Sequence, residues 1–202
     1  MHNTHENTLF FLDNFDSFTY NLVDQFKTLG YPVKIFRNNQ SALKIKKQMD
    51  DCLGNVLLVL SPGPGRPRDA GCLMELIKLC RGNTAMLGIC LGHQALIEQY
   101  GGKIIKSKEI VHGKSSLIQH CANRMFENLP LPLKVARYHS LVGTDIPDEL
   151  EVVADLEGVC MAIYHPKDRV LGFQFHPESI LTCDGAQLLQ NSLHFLLPEG
   201  AF

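Results

Sequence analysis

The sequence lacks the features that mark several broad classes of protein. Its 202 residues carry 19 Lys and Arg against 21 Asp and Glu, so the formal net charge is −2 and no basic surplus predicts nucleic-acid binding. The seven cysteines form no C-x-x-C pair, which argues against a disulfide framework and against a zinc ribbon. The nine histidines show no metal-ligand spacing with carboxylates or cysteines, so we expect no metal site.

Targeting and membrane segments are also missing from the pattern. Residues 1–7 are polar and have no basic start leading into an apolar stretch, so we expect a disordered lead-in and no signal peptide. The apolar run at residues 9–12 is too short to span a bilayer before Asp13 interrupts it. Because no repeat or linker is visible, we expect a single domain over residues 8–202. The seven widely spaced cysteines, which suggest no disulfide framework, predict a reducing, cytoplasmic compartment.

The first half of the chain alternates short apolar runs with amphipathic stretches. The pattern predicts strands at residues 8–12, 33–36, 55–60 and 85–89, and helices at residues 18–29, 41–49, 69–80 and 91–100. Ser17 is in position to cap the first of these helices. This rhythm predicts an α/β fold with an open, mostly parallel sheet and helices on both faces.

The second half has a different texture. Short strand candidates are separated by turn residues and lie at residues 103–105, 115–119, 133–136, 151–154, 159–164 and 170–175. Residues 185–196 predict a final amphipathic helix. We therefore expect a mixed or antiparallel extension of the sheet in the C-terminal half.

Cys90 lies where the strand at 85–89 runs into the next helix without a spacer. Gly88 and Gly92, two residues away on each side, give it the spacing of a nucleophile elbow. Such a sharp turn strains the backbone of the central residue, and the thiol then lies at the positive end of a helix, which favours the thiolate. By itself the stretch is about equally consistent with a small buried cysteine.

His176 and Glu178 directly follow the last predicted strand and flank Pro177. An extended backbone there points both side chains the same way, so Glu178 can hold the His176 ring while the other ring nitrogen faces a thiol. Cysteine, histidine and glutamate would then act as nucleophile, base and orienting group. The alternative for His176 is a buried histidine with satisfied hydrogen bonds at a strand end.

A third segment, residues 61–67, follows the predicted strand at 55–60 and reads S-P-G-P-G-R-P. Its glycines free backbone N–H groups to point at an anion or an oxyanion. It is not a phosphate-binding P-loop, because no Gly-Lys-Ser/Thr follows. A proline-stiffened connection without any site is the simpler interpretation of this loop in isolation.

Together the three segments resemble the class I (triad) glutamine amidotransferases. The similarity covers residues 9–196, and its most specific parts are residues 61–65, 88–94 and 174–179. The resemblance implies a flavodoxin-like fold. It also implies catalysis by Cys90, His176 and Glu178, with the thiolate attacking the side-chain amide of L-glutamine.

The resemblance assigns further residues around the nucleophile. It implies an oxyanion hole formed by the N–H groups of Gly63 and Leu91, and it implies that glutamine is bound by Gly63, Pro64, Gly65, Gln94, Ser140 and Leu141. Gln94 also follows Cys90 by one helical turn, so its side chain can reach a substrate held at the sulfur. The alternatives are an exposed polar residue on the helix for Gln94 and a turn hydroxyl for Ser140.

Three more stretches, residues 13–22, 112–114 and 137–141, resemble the glutaminase subunit of anthranilate synthase. The glutaminase subunit of aminodeoxychorismate synthase shares most of them, and residues 69–72 and 81–82 favour the tryptophan branch. Ammonia becomes ammonium in bulk water near neutral pH, and we expect no second catalytic domain in this chain to consume it. The resemblance implies that the partner is a chorismate-binding synthase subunit.

The resemblance to a synthase glutaminase subunit implies two further expectations, about cofactors and about docking. No cofactor is expected in this chain, and Mg²⁺ is expected only in the synthase subunit. His112-Gly113 and the loop near Arg66 are candidate docking elements, although each is equally consistent with a surface turn.

Two other functions share parts of the pattern. A cysteine peptidase or a γ-glutamyl hydrolase could use the same elbow, but Gln94 and the small loop walled by glycine and proline favour a free amino acid as substrate. A non-catalytic binding module is the second alternative. Such chains usually lose the nucleophile, whereas Cys90, His176 and Glu178 are all present here.

Overall fold

The computed structural model of the protein describes residues 7–197, so the predicted disordered lead-in lies, apart from Asn7, outside the described residues. The helices are α1 (Thr19–Thr28), α2 (Ala42–Asp50), α3 (Leu73–Cys80), α4 (Leu91–Gln99) and α5 (Gly185–Leu196). The strands are β1 (Thr8–Asp13), β2 (Val33–Arg37), β3 (Val56–Leu60), β4 (Ala85–Ile89), β5 (Lys103–Lys106), β6 (Lys114–His120), β7 (Leu133–Arg137), β8 (Leu141–Thr144), β9 (Glu151–Leu156), β10 (Val159–His165) and β11 (Val170–Phe173). The single domain over residues 8–202 stays a prediction.

One large sheet runs through the described residues, with strand order β2-β1-β3-β4-β11-β10-β9-β6-β7. The pairs from β2 to β11 are parallel, and the pairs from β11 to β7 are antiparallel. A second, two-stranded antiparallel sheet is formed by β5 and β8. The predicted α/β fold, with a parallel sheet and an antiparallel extension in the C-terminal half, is confirmed.

The core consists of two hydrophobic layers, one on each face of the sheet. Alternate residues of β1 separate into them: Leu9 and Phe11 pack in the layer that holds α1 and α5, and Phe10 and Leu12 in the layer that holds α2, α3 and α4. Successive side chains on a strand point to opposite faces. A strand covered by helices on both faces therefore has the continuous apolar sequence seen in β1.

Helix α3 begins at Leu73, and the prediction that it begins at residue 69 or 70 was wrong. A short 3₁₀ turn, Pro67–Asp69, precedes it. The backbone of Gly71 then takes a positive φ of 53° in direct contact with the Asn38 carbonyl, where a Cβ would lie 2.2 Å from the oxygen. The N–H of Cys72 donates to the same carbonyl at 2.7 Å. This tertiary contact, rather than local helix propensity, sets the start of the helix.

Two other local predictions also differ from the structure. Ser17 does not cap α1, because the Asp16 carboxylate accepts the backbone N–H of Phe18 at 2.8 Å and the cap position shows no side-chain hydrogen bond. The strand β8 was not anticipated from the sequence, since its four residues carry only a short apolar signal.

Within residues 7–197 no helix combines the length and the apolar character needed to cross a membrane.

Strand β11 ends at Phe173, two residues earlier than predicted. Beyond it the chain leaves β4 and turns toward β7, where the N–H of His176 donates to the carbonyl of Ala136 at 3.0 Å. The Thr182 hydroxyl donates to the His176 carbonyl at 2.7 Å and accepts the Ala136 N–H at 2.9 Å. These bonds hold the segment that carries His176 and Glu178 against the antiparallel half of the sheet.

Candidate active site

The three segments singled out in the sequence meet at one edge of the sheet. Strands β3, β4 and β11 are adjacent and parallel, so their carboxyl ends lie side by side. Residues 61–67 follow β3, Cys90 follows β4 and residues 174–179 follow β11. In open α/β sheets this edge is where ligands bind. The fold therefore brings together segments that lie more than a hundred residues apart in sequence.

Cys90 has the strained backbone that its position predicts. Its φ is 51° and its ψ is −99°, a conformation that residues other than glycine rarely adopt. The residue caps the N-terminus of α4, and its own N–H still donates to the Phe173 carbonyl at 2.8 Å. Sheet and helix together hold the strain in place, and the thiol lies at the positive end of the helix dipole.

The glycines on either side of Cys90 allow the backbone to approach itself closely. A Cβ at Gly92 would lie 2.4 Å from the carbonyl oxygen of Leu60, and a Cβ at Gly88 would lie 2.6 Å from the carbonyl carbon of Gly92. Strand β4, helix α4 and the end of β3 could not pack this tightly around larger residues. The spacing that predicted the elbow thus has a steric cause.

His176 and Glu178 form a buried pair. Nδ1 of His176 lies 2.6 Å from Oε1 of Glu178, and the two residues are 2% and 4% exposed. Because Nδ1 is held by the carboxylate, Nε2 is the nitrogen left for another partner, and among the described residues it has no hydrogen bond. Hydrogen bonds used for proton transfer often tighten only when substrate is bound.

The charge state of His176 depends on its two neighbours. Burial acts to lower the pKa of His176, but the negative charges of Cys90 and Glu178 outweigh burial and raise the pKa well above 6.5. The imidazole is therefore stabilised as the protonated cation. A cation beside the sulfur is the partner that a thiolate nucleophile requires.

Two aromatic rings enclose the His176 imidazole, and neither was assigned a role from the sequence. The ring centroid of Phe18 lies 5.1 Å from it and that of Tyr138 lies 5.0 Å away. Phe18 and Tyr138 also contact each other at 5.0 Å, and His112 packs edge-on against Tyr138 at 5.7 Å. Both rings lie in stretches that carry the family resemblance, which is the one signal that pointed toward them.

The loop at residues 61–67 is anchored by buried polar side chains. The hydroxyl of Ser61 accepts the N–H of Asn14 at 2.8 Å, and the amide of Asn14 donates to the Ser61 carbonyl at 3.0 Å. The Asn38 amide donates to Asn14 Oδ1 at 3.1 Å. Gly63 is thereby pressed against Leu91, since a Cβ on Gly63 would lie 2.6 Å from Leu91 Cδ2 and from Asn14 Cβ. The two residues predicted to supply oxyanion N–H groups are thus neighbours.

Among the predicted glutamine-binding residues, Gln94 and Leu141 are hydrogen-bonded to each other, whereas others lie on exposed loops. Gln94 is 3% exposed, which excludes the alternative of an exposed helix position, and its amide donates to the Leu141 carbonyl at 3.0 Å. Ser140 is exposed beside Leu141, while Pro64 and Gly65 lie on the exposed part of the 61–67 loop. The structure therefore joins Gln94 to the 140–141 segment directly.

The comparison with known proteins decides the family. Residues 10–195 match the family described as Glutamine amidotransferase class-I, which is nearly the whole chain. The chain belongs to the class-I glutamine amidotransferases.

Several curated relatives of this amidotransferase carry the name anthranilate synthase component 2. The protein of Vibrio parahaemolyticus is 51% identical over 189 residues, which covers 94% of this chain and 96% of the relative. That of Haemophilus influenzae is 50% identical over 191 residues, with 94% and 97% covered. That of Helicobacter pylori is 45% identical over 188 residues, with 93% and 97% covered.

Solved structures show the same fold at low sequence identity. A candidate GMP synthase component from Thermoplasma acidophilum superimposes with a TM-score of 0.82 at 23% identity, covering 96% of each chain. A glutamine amidotransferase from Thermotoga maritima superimposes with a TM-score of 0.70 at 16% identity, covering 96% of this chain and 99% of that one. Nearly the entire described chain of this amidotransferase thus follows one shared architecture.

Other buried cysteines of the amidotransferase are chemically unlike a nucleophile. Burial raises the pKa of Cys80 to about 11 and that of Cys160 to about 12, and it also raises the pKa of Cys72. All three therefore remain thiols near neutral pH. They pack as small apolar side chains, the structural role that the sequence had left open for Cys90.

Two further histidines of the amidotransferase predict a loss of stability in acid. Burial lowers the pKa of His93 from 6.5 to about 3 and is the main cause that lowers the pKa of His139 to about 4. Between pH 6.5 and these values the unfolded chain binds more protons than the folded chain. The free energy of unfolding therefore falls as the pH drops below 6.5, by about 2 kcal/mol at pH 5 for His93 alone.

Urea unfolding at several pH values between 7 and 5 measures this effect. The variant His93→Gln removes one titrating group, so its unfolding free energy should vary less steeply with pH over this window, whatever its stability at pH 7. The exposed His194 supplies the matched variant, His194→Gln, which should retain the native slope. An unchanged slope in His93→Gln would show that His93 does not carry the acid sensitivity.

Proposed function

We propose that this amidotransferase is the glutaminase subunit of an anthranilate synthase, hydrolysing L-glutamine at Cys90 and passing ammonia to a chorismate-binding synthase subunit. The observation that carries the hydrolysis is the meeting of Cys90 with the buried pair His176 and Glu178 at neighbouring strand ends. The choice of anthranilate is supported by the relatives named anthranilate synthase component 2, which are 45–51% identical to this chain over nearly their full length.

The proposed reaction begins with the thiolate of Cys90 adding to the side-chain amide carbon of glutamine. His176 holds the proton taken from the thiol, as its raised pKa favours. When the tetrahedral intermediate collapses, His176 gives this proton to the departing ammonia and a γ-glutamyl thioester is left on Cys90. Water, deprotonated by His176, then releases glutamate and regenerates the thiolate. Throughout, Glu178 keeps the imidazole oriented.

The oxyanion of the tetrahedral intermediate needs N–H donors. We assign these to Gly63 and Leu91, whose contact across the site is close enough to exclude a Cβ at Gly63. Loss of one donor of this kind typically lowers the rate by about 10²–10³-fold. The anchoring of the 61–67 loop by Asn14 and Asn38 accordingly serves catalysis, because it fixes one of the donors.

Recognition of the substrate is assigned to Gly63, Pro64, Gly65, Gln94, Ser140 and Leu141. Gln94 and Leu141 are tied to each other by a 3.0 Å hydrogen bond, so the two act as one surface. Free glutamine fits a site framed by backbone and amide groups, which bind a small zwitterion through hydrogen bonds.

The synthase partner is proposed because free ammonia is protonated in water and lost to the reaction. His112-Gly113 and the loop near Arg66 are the proposed docking elements. His112 packs on Tyr138, and Tyr138 contacts His176. A partner that moves His112 can therefore shift the imidazole through Tyr138.

The chain itself is proposed to need no cofactor, with Mg²⁺ acting in the synthase subunit. Seven unpaired cysteines are consistent with a reducing, cytoplasmic compartment.

The function is tested by reconstitution with purified synthase subunits. Mixed with glutamine, chorismate and an anthranilate synthase component 1, the chain should support anthranilate formation, and its glutaminase turnover should rise above that of the chain alone. With an aminodeoxychorismate synthase subunit in place of component 1, glutamine-dependent product should be much lower. Equal or greater synthesis with the second partner would refute the assignment to anthranilate, and full turnover of the lone chain would refute gating by the partner.

A further inference from the structure

One buried polar side chain next to the nucleophile has no part in the scheme above. Gln174, the first residue after β11, is completely buried. Its Nε2 lies 3.8 Å from the sulfur of Cys90, and its Oε1 lies 3.2 Å from Nε2 of Gln94. Its backbone N–H donates to the Met161 carbonyl at 2.9 Å, which fixes the residue to the sheet. Gln174 thus stands between the nucleophile and a residue assigned to glutamine binding.

The hydrogen-bond network determines which way both amides point. The carbonyl of Leu141 can only accept, so Gln94 must direct its NH₂ group toward it. The second hydrogen of that NH₂ group then reaches Gln174, which must meet it with its oxygen. The NH₂ group of Gln174 is left facing the sulfur of Cys90. One backbone carbonyl therefore fixes the orientation of two side-chain amides.

This orientation has a consequence at each end. The sulfur receives an N–H donor, which favours a negative charge on it. At the other end both amide hydrogens of Gln94 are engaged, so its Oε1 is left as an acceptor. We propose that Gln174 donates to the Cys90 thiolate and at the same time holds Gln94 so that its carbonyl oxygen accepts an N–H from L-glutamine. The second half of this proposal rests on the proposed function.

The first half is tested without substrate. Gln174→Met keeps the length of the side chain and removes its N–H donors, and Gln174→Glu replaces them with a negative charge. The probe is iodoacetamide, with carbamidomethylation of the Cys90 peptide quantified by mass spectrometry across pH. His176 interacts electrostatically with Cys90, and it is unaltered in both variants. In Gln174→Met the alkylation midpoint should rise by about one pH unit, as expected for the loss of one hydrogen bond to a charged group.

In Gln174→Glu the midpoint should rise further, because a carboxylate repels the thiolate. Gln119 lies exposed on β6, so Gln119→Met is the matched control and should leave the midpoint unchanged. Circular dichroism and unfolding curves establish that each variant is folded. A native midpoint in folded Gln174→Met would overturn the proposal.

The second half is tested by steady-state kinetics. Gln174→Met and Gln94→Met should each raise KM for glutamine about tenfold, and the double variant should show little more than either alone, because one interaction is removed in both cases. Additive effects on KM would overturn the coupling between Gln174 and Gln94. If the native chain hydrolysed no glutamine even with the synthase subunit present, the proposed function would fail by that result, whereas the alkylation midpoint would still decide whether Gln174 acts on the sulfur.

Discussion

Replacing Cys90 by alanine is expected to reduce glutamine hydrolysis by about 10⁴-fold or more, to the level of a site that binds but cannot form the thioester. The buried Cys72, Cys80 and Cys160 cannot substitute for the sulfur, because burial raises their pKa values and keeps them as thiols near neutral pH. Glutaminase turnover, measured as glutamate released in the presence of the synthase subunit, gives the comparison.

Two controls separate loss of the nucleophile from loss of the fold. Cys183 is exposed in the segment after Glu178, so Cys183→Ala should retain native turnover. The Cys90→Ala chain should still bind the synthase subunit, and the complex should still form product when ammonium salt replaces glutamine at alkaline pH. Substantial glutamine-dependent turnover in Cys90→Ala would contradict the assignment of the nucleophile.

Replacing His176 by glutamine is expected to have the second-largest effect, a loss of about 10²–10⁴-fold in kcat. Glutamine fills much of the volume enclosed by Phe18 and Tyr138 but cannot carry a proton. The thiolate also loses the cation that the raised pKa of His176 provides. The loss should appear in kcat, while KM for glutamine changes little, because the imidazole acts on the reacting atoms.

The readout that separates this role from a structural one is the reactivity of Cys90. In His176→Gln the pH midpoint of Cys90 alkylation should rise, whereas His194→Gln on the exposed face of α5 should leave it unchanged. A native midpoint together with native kcat would mean that the histidine and glutamate pair is structural.

The sequence was most informative where structure depends on neighbouring residues. The elbow at Cys90 was predictable because the glycines that permit it are two positions away. In the first half of the chain, the alternation of short apolar runs with amphipathic stretches was sufficient to predict the parallel sheet. The pairing of His176 with Glu178 also follows from local geometry around Pro177. In each case the deciding contact lies within a few residues of the chain.

Tertiary contacts account for what the sequence did not predict. The start of α3 is set by the backbone of Asn38, which lies over thirty residues before Leu73. The sequence left open whether Gln94 is an exposed residue. In the structure α4 is buried on nearly all sides, and this burial comes from strands elsewhere in the chain, so the sequence of the helix alone could not reveal it. Gln174 belongs to a stretch that resembles the family, yet its contact with Cys90 spans 84 residues. No local pattern could have paired them.

The most direct test of the account is to label the chain with a glutamine analogue that carries an electrophilic ketone in place of the side-chain amide. Peptide mapping after reaction should find one analogue per chain, attached to Cys90, and excess L-glutamine should protect the thiol. The Glu178→Gln and His176→Gln chains should be labelled more slowly at the same residue. Attachment to any other of the seven cysteines, or labelling of Cys90 that glutamine does not slow, would contradict the proposal that this thiol lies in the glutamine site.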